Sequence, residues 1–451
     1  MKLRIFLACL ACRLARRAAN LLGRGGTNLP GEIALRVFPD VLRHVAAGVD
    51  SVLVTGTNGK TTTVKLLVAA LESLGIPTFT NRSGANLKAG ITAEYILNAT
   101  LFGKPRRRHA VIECDEAAMK LVSGAIAPRA IVVTNLFRDQ LDRYGEVTNI
   151  LAEIREGIRR APGCTVVVNA DCSLCASLAS DLPNRSVCFG VELDTGKESA
   201  VSDAPRCLRC GSRYVYRSHT FAHLGDFCCP DCGYTRPERD ISVTAWEPGR
   251  ESSRFTVHTP ERDFECSIAL PALYNVYNGL AVLAALRSLG LDVERGGLSL
   301  GKAAAGFGRM ELMHYNGNPI RIILVKNPAG CDRALDYLKT VEGDYLPIFC
   351  LNDRPSDGID VSWIWDVDVE DYLTSAPDTP AVYGSRANEL RVRMKYAGAD
   401  DSRIRVLESL DALLTLVKES EKPVYILPNY TTMLTVRDAV AKLCGEESFW
   451  K

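Results

Sequence analysis

The residues of this chain that could do chemistry gather first at Val54-Thr55-Gly56-Thr57-Asn58-Gly59-Lys60-Thr61-Thr62-Thr63. The run follows an apolar stretch at 51–55 and opens a helical pattern at 64–74. A glycine-rich turn between a buried strand and a helix aims backbone N–H groups at phosphate, and the helix N-terminus adds its positive end. Lys60 would reach the terminal phosphates, and the Thr61 hydroxyl would hold Mg²⁺. Val54 stands where the strict pattern has a further glycine, so the loop is a variant. Two later strand ends offer acids and amides for the same chemistry: Glu113 with Asp115-Glu116 after the strand 110–113, and Asn135 after 130–134. Carboxylates there would neutralise Mg²⁺ and the charge of a transferred phosphoryl group, a reaction driven chiefly by positioning and electrostatics. Taken singly, each acid reads equally well as a helix cap or a surface residue.

A second group is built from sulfur. Cys207-Leu208-Arg209-Cys210 and Cys229-Pro230-Asp231-Cys232 are two C-x-x-C pairs separated by eighteen residues and followed by Gly211 and Gly233. Two such knuckles bring four thiolates into a tetrahedron, so the spacing predicts a structural Zn²⁺ held by Cys207, Cys210, Cys229 and Cys232. Cys228 lies beside Cys229 and competes for the same place. With four sulfurs there is no open position for water, which points to stability or partner contact, not chemistry. Cys172 and Cys175 form a lone C-x-x-C in a helical stretch and read as packing. The six histidines form no ligand pattern, and no Ser–His–Asp arrangement is assignable.

A third group is the segment 351–368, with five aspartates and two tryptophans after an apolar run. Its residues read as an acidic turn followed by a half-buried edge strand.

These groups need elements to position them. With 451 residues the chain is expected to hold two or three domains, at ~100–200 residues each. Hydrophobic residues at 47% and charged residues at 24% fit a globular protein with a sizeable core. Lys+Arg 54 against Asp+Glu 53 excludes a surface built throughout for nucleic acid. Sixteen cysteines without a convincing export signal favour reduced thiols and a metal over a disulfide framework, and a cytoplasmic protein. Apolar runs at 51–55, 110–113, 130–134 and 165–168 alternate with helical patterns, predicting an α/β domain with a mainly parallel sheet over 51–300. Residues 203–236 read as an inserted module, and the glycines of 290–308 as a linker. A smaller α/β domain follows at 309–451, with strands near 321–325, 347–351 and 424–427. Residues 1–50 form a lead-in whose first helix is cationic and amphipathic. It either packs on the central domain or touches an anionic membrane surface, and it is too short in apolar residues to span one.

The loop 55–62 resembles the ATP loop of the Mur ligase superfamily, the peptidoglycan amino-acid ligases and folylpolyglutamate synthetases. Asn135 through Asp142 is similar to the superfamily's Asn-x-x-x-Asp-His-Leu-Asp segment, with Gln140 for His. Residues 270–278 resemble its Gly-x-His-Asn-x-x-Asn segment, with Tyr274 for His, and Gly308-Arg309-Met310-Glu311 resembles the opening of the last domain. Residues 25–31, 326–330 and above all 351–368 resemble the MurT-type ligase subunits of lipid II isoglutaminyl synthase, over nearly the whole chain.

That resemblance implies ATP-dependent amidation of the D-glutamate α-carboxylate in the lipid II stem peptide, through an acyl phosphate. Thr57, Asn58, Gly59, Lys60, Thr61, Thr62, Asn278 and Arg309 would bind ATP, Thr61 and Glu113 would hold Mg²⁺, and Asp357 would position ammonia. Asp353 and Asp360 compete with Asp357 for that role. Ammonia would come from a GatD-like glutaminase subunit, because this sequence carries no glutaminase signature. An ordinary amino-acid ligase of the Mur or folylpolyglutamate type is the alternative enzyme. A nucleotide-binding scaffold without catalysis is the alternative outside enzymology.

Overall fold

The computed structural model describes residues 1–21, 28–81, 85–138, 147–196, 203–249, 251–302, 309–376 and 379–446. Two sheets organise them. The strands of the first part are β1 (Asp50–Thr55), β2 (Thr78–Phe79), β3 (His109–Glu113), β4 (Ala130–Val133), β5 (Thr165–Asn169), β6 (Ser186–Val191), β7 (Val215–Phe221), β8 (Leu224–Cys228), β9 (Ile241–Pro248), β10 (Ser253–His258) and β11 (Asp263–Ile268). Nine of them form one sheet in the order β11-β10-β9-β6-β5-β4-β1-β3-β2, while β7 and β8 pair as a separate hairpin. From β9 to β2 neighbouring strands run parallel, and β10 and β11 add an antiparallel edge. The central strands are continuous apolar runs because helices cover both faces. The order reverses around β1, so the crevice beyond its carboxyl end is where such a sheet receives a ligand.

The second sheet contains β12 (Arg309–Tyr315), β13 (Asn318–Ile323), β14 (Leu346–Cys350), β15 (Ala381–Tyr383), β16 (Arg405–Leu407) and β17 (Val424–Pro428). Its order is β12-β13-β17-β14-β15-β16, parallel except for the β12–β13 hairpin. The expected strands lie within one to three residues of these bounds.

The helix Leu273–Ser288 is buried nearly all round and lies between β5–β6 and the helix Lys60–Ser73. An amphipathic stripe would fail there, and its sequence is correspondingly apolar on every face. The stretch expected as a linker is not slack: Val293–Gly297 is a short helix, and a Cβ on Gly296 would come within 2.4 Å of Leu286 Cδ1. Its glycines allow close packing, while residues 303–308 lie outside the described ones. The first helix, Lys2–Leu21, buries Ile5, Ala8, Cys9, Cys12 and Ala19 against the helices Leu29–Val37 and Lys88–Asn98. Among the described residues no helix is long and apolar enough to cross a membrane.

Candidate active site

The phosphate-type loop leaves β1 through two left-handed glycines, Gly56 at φ 116° and Gly59 at φ 86°. Both are required. A Cβ on Gly59 would lie 2.1 Å from Asn278 Oδ1, and one on Gly56 would lie 2.5 Å from Thr134 Oγ1. Asn278, on the buried helix Leu273–Ser288, is thus pressed against the loop. The end of β4 braces the other side. The Thr57 hydroxyl donates to the Phe137 carbonyl (3.1 Å) and accepts from the Phe137 amide (3.0 Å). The Thr57 amide donates to the Asn135 carbonyl (2.9 Å), and the Asn58 amide to Asn135 Oδ1 (2.9 Å). Thr57 and Asn58 therefore spend their donors on holding the loop's shape. Gly59, Lys60, Thr61 and Thr62 open the helix Lys60–Ser73, whose first-turn N–H groups have no intrahelical partner.

Lys60 is buried and donates to Glu116 Oε1 (2.6 Å) and the Gly56 carbonyl (2.5 Å). Burial works against its charge, but Glu116, Glu113 and Asp115 outweigh that and hold the ammonium above its ordinary pKa. Glu116 is thus the carboxylate against which Lys60 is stored. Thr61 Oγ1 donates to Glu113 Oε2 (2.8 Å), and Asn86 Nδ2 donates to Glu113 Oε1 (3.2 Å). The expected Mg²⁺ pair, a hydroxyl and a carboxylate, is side by side.

Next to the loop an open cleft of about 870 Å³ runs between the two sheets. Phe137, Phe221, Tyr274 and Tyr277 give it aromatic walls; Asn169 and Asn275 give it amides. The second sheet reaches in just past β13. Lys326 lines the cleft and acts on Glu116, and Asn327 Nδ2 donates to Asn58 Oδ1 (3.1 Å) while Asn327 Oδ1 caps the helix Pro328–Lys339. The backbone of Arg309 opens β12, but its side chain lies outside the described residues, as do Gln140 and Asp142.

The three competing aspartates part company. Asp353 pairs with Arg386 (2.8 Å) and Ser385, and Asp360 accepts from the Ser362 amide (2.8 Å) in an exposed turn. Asp357 is buried at the N-terminus of the helix Tyr430–Cys444, accepting from the Thr431 amide (2.8 Å) and the Thr431 hydroxyl. Burial pushes its carboxyl above the usual range despite these bonds. Burial, and after it the charges of Glu113 and Asp357, raise the pKa of Tyr430, so both acids lie within electrostatic reach of its hydroxyl. Glu116 was offered by the sequence as a strand-end acid for the metal and is found on Lys60 instead, while Lys326, Asn327 and Tyr430 were given no site role from the sequence. Lys326 and Asn327 carried a readable signal, since they follow a strand directly.

The four cysteines also converge. The Sγ atoms of Cys207, Cys210, Cys229 and Cys232 all lie within 4.8 Å of one another, the one such His/Cys/Asp/Glu group among the described residues. Cys228 is not in that group. Hydrogen bonds from Ser212 hold the exposed Cys210 thiol down to about 6, favouring the thiolate a metal needs. The inserted module does more than hold this knot. The turn between β7 and β8 sends Phe221 and Leu224 into the wall of the cleft. It is anchored by the buried Arg236–Asp171 pair (2.9 Å), with Asp171 also accepting from the Tyr277 hydroxyl (2.6 Å). Cys172 and Cys175 are buried as expected, but Cys172 meets His223 Nε2 at 3.5 Å, which with Cys175 outweighs burial and lowers its pKa well below the usual thiol value.

Comparison with known proteins settles what this arrangement belongs to. Residues 54–206 match the Mur ligase middle domain, and residues 324–433 match the MurT ligase C-terminal domain. The lipid II isoglutaminyl synthase (glutamine-hydrolyzing) subunit MurT of Streptococcus pneumoniae is 34% identical over 98% of both chains. The chain belongs to the MurT family. The MurT subunit of Staphylococcus aureus is 32% identical, over 93% of this chain and 94% of that one. A pseudomurein peptide ligase type C from Methanothermus fervidus has the same fold, with a TM-score of 0.70 at 20% identity over 90% of this chain and 81% of that one. MurF from Thermotoga maritima, solved in complex with ADP, superposes at 0.64 with 14% identity, over 91% and 84%. This chain thus joins a Mur ligase fold, a cysteine tetrad that could hold a metal and a MurT ligase C-terminal domain.

Proposed function

We propose that this MurT-family chain amidates the α-carboxylate of D-glutamate in the lipid II stem peptide. Residues 51–300 would bind ATP, residues 309–451 would close over it, and residues 1–50 would lead in. Bound ATP, its charge neutralised by Mg²⁺, would supply the γ-phosphoryl group that turns the carboxylate into an acyl phosphate and leaves ADP, and ammonia would then form the C–N bond at the acyl carbon as inorganic phosphate departs. The donors fit those groups: a glycine cradle with no room for a Cβ, and a hydroxyl–carboxylate pair at its mouth. Lys60 leaves Glu116 for the terminal phosphates, Thr61 and Glu113 hold the metal, and Asn278 with the aromatic walls orients the base. Arg309 is assigned to ATP from the family motif. Asp357, fixed by the helix beginning at Tyr430, orients ammonia and takes up its proton.

The observation that carries this reading is the glycine cradle with the Thr61–Glu113 pair at its mouth, beside a cleft lined from both sheets. Ammonia is mostly protonated at neutral pH, so a GatD-like glutaminase subunit releasing it beside Asp357 completes the chemistry. The relatives' names, a glutamine-hydrolysing synthase with this chain's kin as one subunit, support that partner. The four cysteines would hold a structural Zn²⁺. The work would take place in the cytoplasm, at the inner face of the membrane that carries lipid II. Phosphate release from ATP, measured with and without lipid II and ammonium, tests the enzyme against the scaffold. Release that requires both and is lost in Lys60→Ala supports the reading, while binding of ATP with no acceptor-dependent release in the presence of the glutaminase subunit contradicts it.

A further inference from the structure

The first helix has a second face that its packing does not use. Ile5, Ala8, Cys9 and Cys12 point inward, and Arg13 bends in to donate to the Ile96 (3.3 Å) and Ala99 carbonyls. On the outside, Leu3, Leu7, Leu14 and Leu21 follow one another at helical spacing and are 45–88% exposed. At ~1.5 Å per residue, that stripe is about 27 Å long. Phe102, 65% exposed, extends it: its ring lies 5.6 Å from that of Phe6, and its neighbour Gly103 fits against Ile5.

The surroundings of the stripe are cationic. The helix exposes Lys2, Arg4 and Arg17 and carries no acid, and the loop after Phe102 continues with the exposed Lys104, Arg106, Arg107 and Arg108. Glu94 acts on Cys12, on the inner face. Exposed leucines flanked by one sign of charge are costly in water and fit an anionic lipid interface, where leucines enter the acyl boundary and cations meet headgroups.

We propose that the outward face of Lys2–Leu21, with the Phe102 loop, is a docking surface for an anionic bilayer, the helix lying in the interface plane. The geometry gives that pose a use. Phe102 precedes β3, so the Leu3 end of the helix lies at the edge where the strands start. Asn28, beyond the Leu21 end, lies against Gly90 in the first turn of Lys88–Asn98, and Asn86 just before that helix bonds Glu113. The helix therefore points along the flank toward the catalytic edge. This use rests on the lipid-linked acceptor proposed above; the docking itself does not.

Sedimentation of the full chain with phosphatidylcholine vesicles, with and without phosphatidylglycerol, reads the docking without ATP or acceptor. The wild type should bind the phosphatidylglycerol vesicles at about 0.15 M salt and release as salt rises. Leu7→Glu/Leu14→Glu and Arg4→Glu/Arg17→Glu should each weaken binding about tenfold or more, with unchanged melting and ATP binding. No binding by the wild type, or equal binding by both variants, overturns the proposal. So does loss in the variants of glutaminase-subunit binding or of self-association while vesicle binding persists, which would make the face a protein interface. If vesicles bind as expected but lipid II is never amidated, the docking stands and the reaction reading falls.

Discussion

The cysteine tetrad and the catalytic cleft are both built where separate pieces of chain converge, but on different scales. The tetrad draws its ligands from two turns within 26 residues, and the geometry of each pair is set by its own C-x-x-C turn. The cleft is lined from the ends of β1, β4, β5 and β13, the buried helix Leu273–Ser288 and the start of the helix Pro328–Lys339. One site is therefore specified by local spacing and, with the proposed zinc bound, would be held by four equivalent bonds. The other is specified by two sheets and held by many weak ones, such as Asn58–Asn327. The hairpin turn carrying Phe221 and Leu224 is where the two regions meet.

Lys60→Ala should strike the cleft alone. The expected result is a fall in kcat of about 10²–10³ with melting temperature little changed, read by coupled phosphate release and calorimetry. Next comes Asp357→Asn, expected to lower ammonium-driven amidation by about a hundredfold. Its stability effect has the opposite sign. Because burial raises the folded pKa of Asp357, its contribution to stability is full below the ordinary carboxylate pKa and is lost as pH rises through the raised value. At neutral pH, Asn should therefore leave the melting temperature unchanged or higher, and the gap should close as pH falls toward about 4.

Cys229→Ser, or removal of the metal by a chelator, should behave in the reverse way. Bound zinc should fall and melting should drop by about 5 °C, with KM for ATP rising about tenfold through Phe221 and Leu224. Were kcat to collapse at unchanged stability instead, the separation of the two regions would be wrong. The smallest expected effect is that of Asn327→Ala, which removes one tie between the sheets: about a fivefold rise in KM for ATP at constant kcat, the worth of one hydrogen bond.

The different scales also decide what could be read from the sequence. The tetrad's members were legible from two C-x-x-C pairs, and the loop from its place between a buried strand and a helix. Glu113 was offered by its place at a strand end and Thr61 by the phosphate-loop pattern, and the two side chains stand side by side. Spacing could not show that Lys60 is stored on Glu116, because that pair depends on how a short helical turn folds back after β3. Nor could it separate Asp353, Asp357 and Asp360, which the fold gives different partners: Arg386 and Ser385, the helix at Tyr430, and Ser362. Tyr430 lies 73 residues beyond Asp357, and only the packing of β14 beside β17 brings them together. Likewise the insertion read as a stabilising module, whereas its hairpin turn also walls the cleft.

The central claim is that the phosphate loop and Asp357 serve one reaction whose nucleophile is ammonia. Mass spectrometry of lipid II after incubation with the chain, ATP, Mg²⁺ and ammonium, with and without the glutaminase subunit and glutamine, tests it most directly. The account predicts product carrying NH₂ in place of one carboxyl OH, lost in Lys60→Ala and strongly reduced in Asp357→Asn. Unchanged lipid II under every condition, or lipid II enlarged by a whole amino acid, would contradict it.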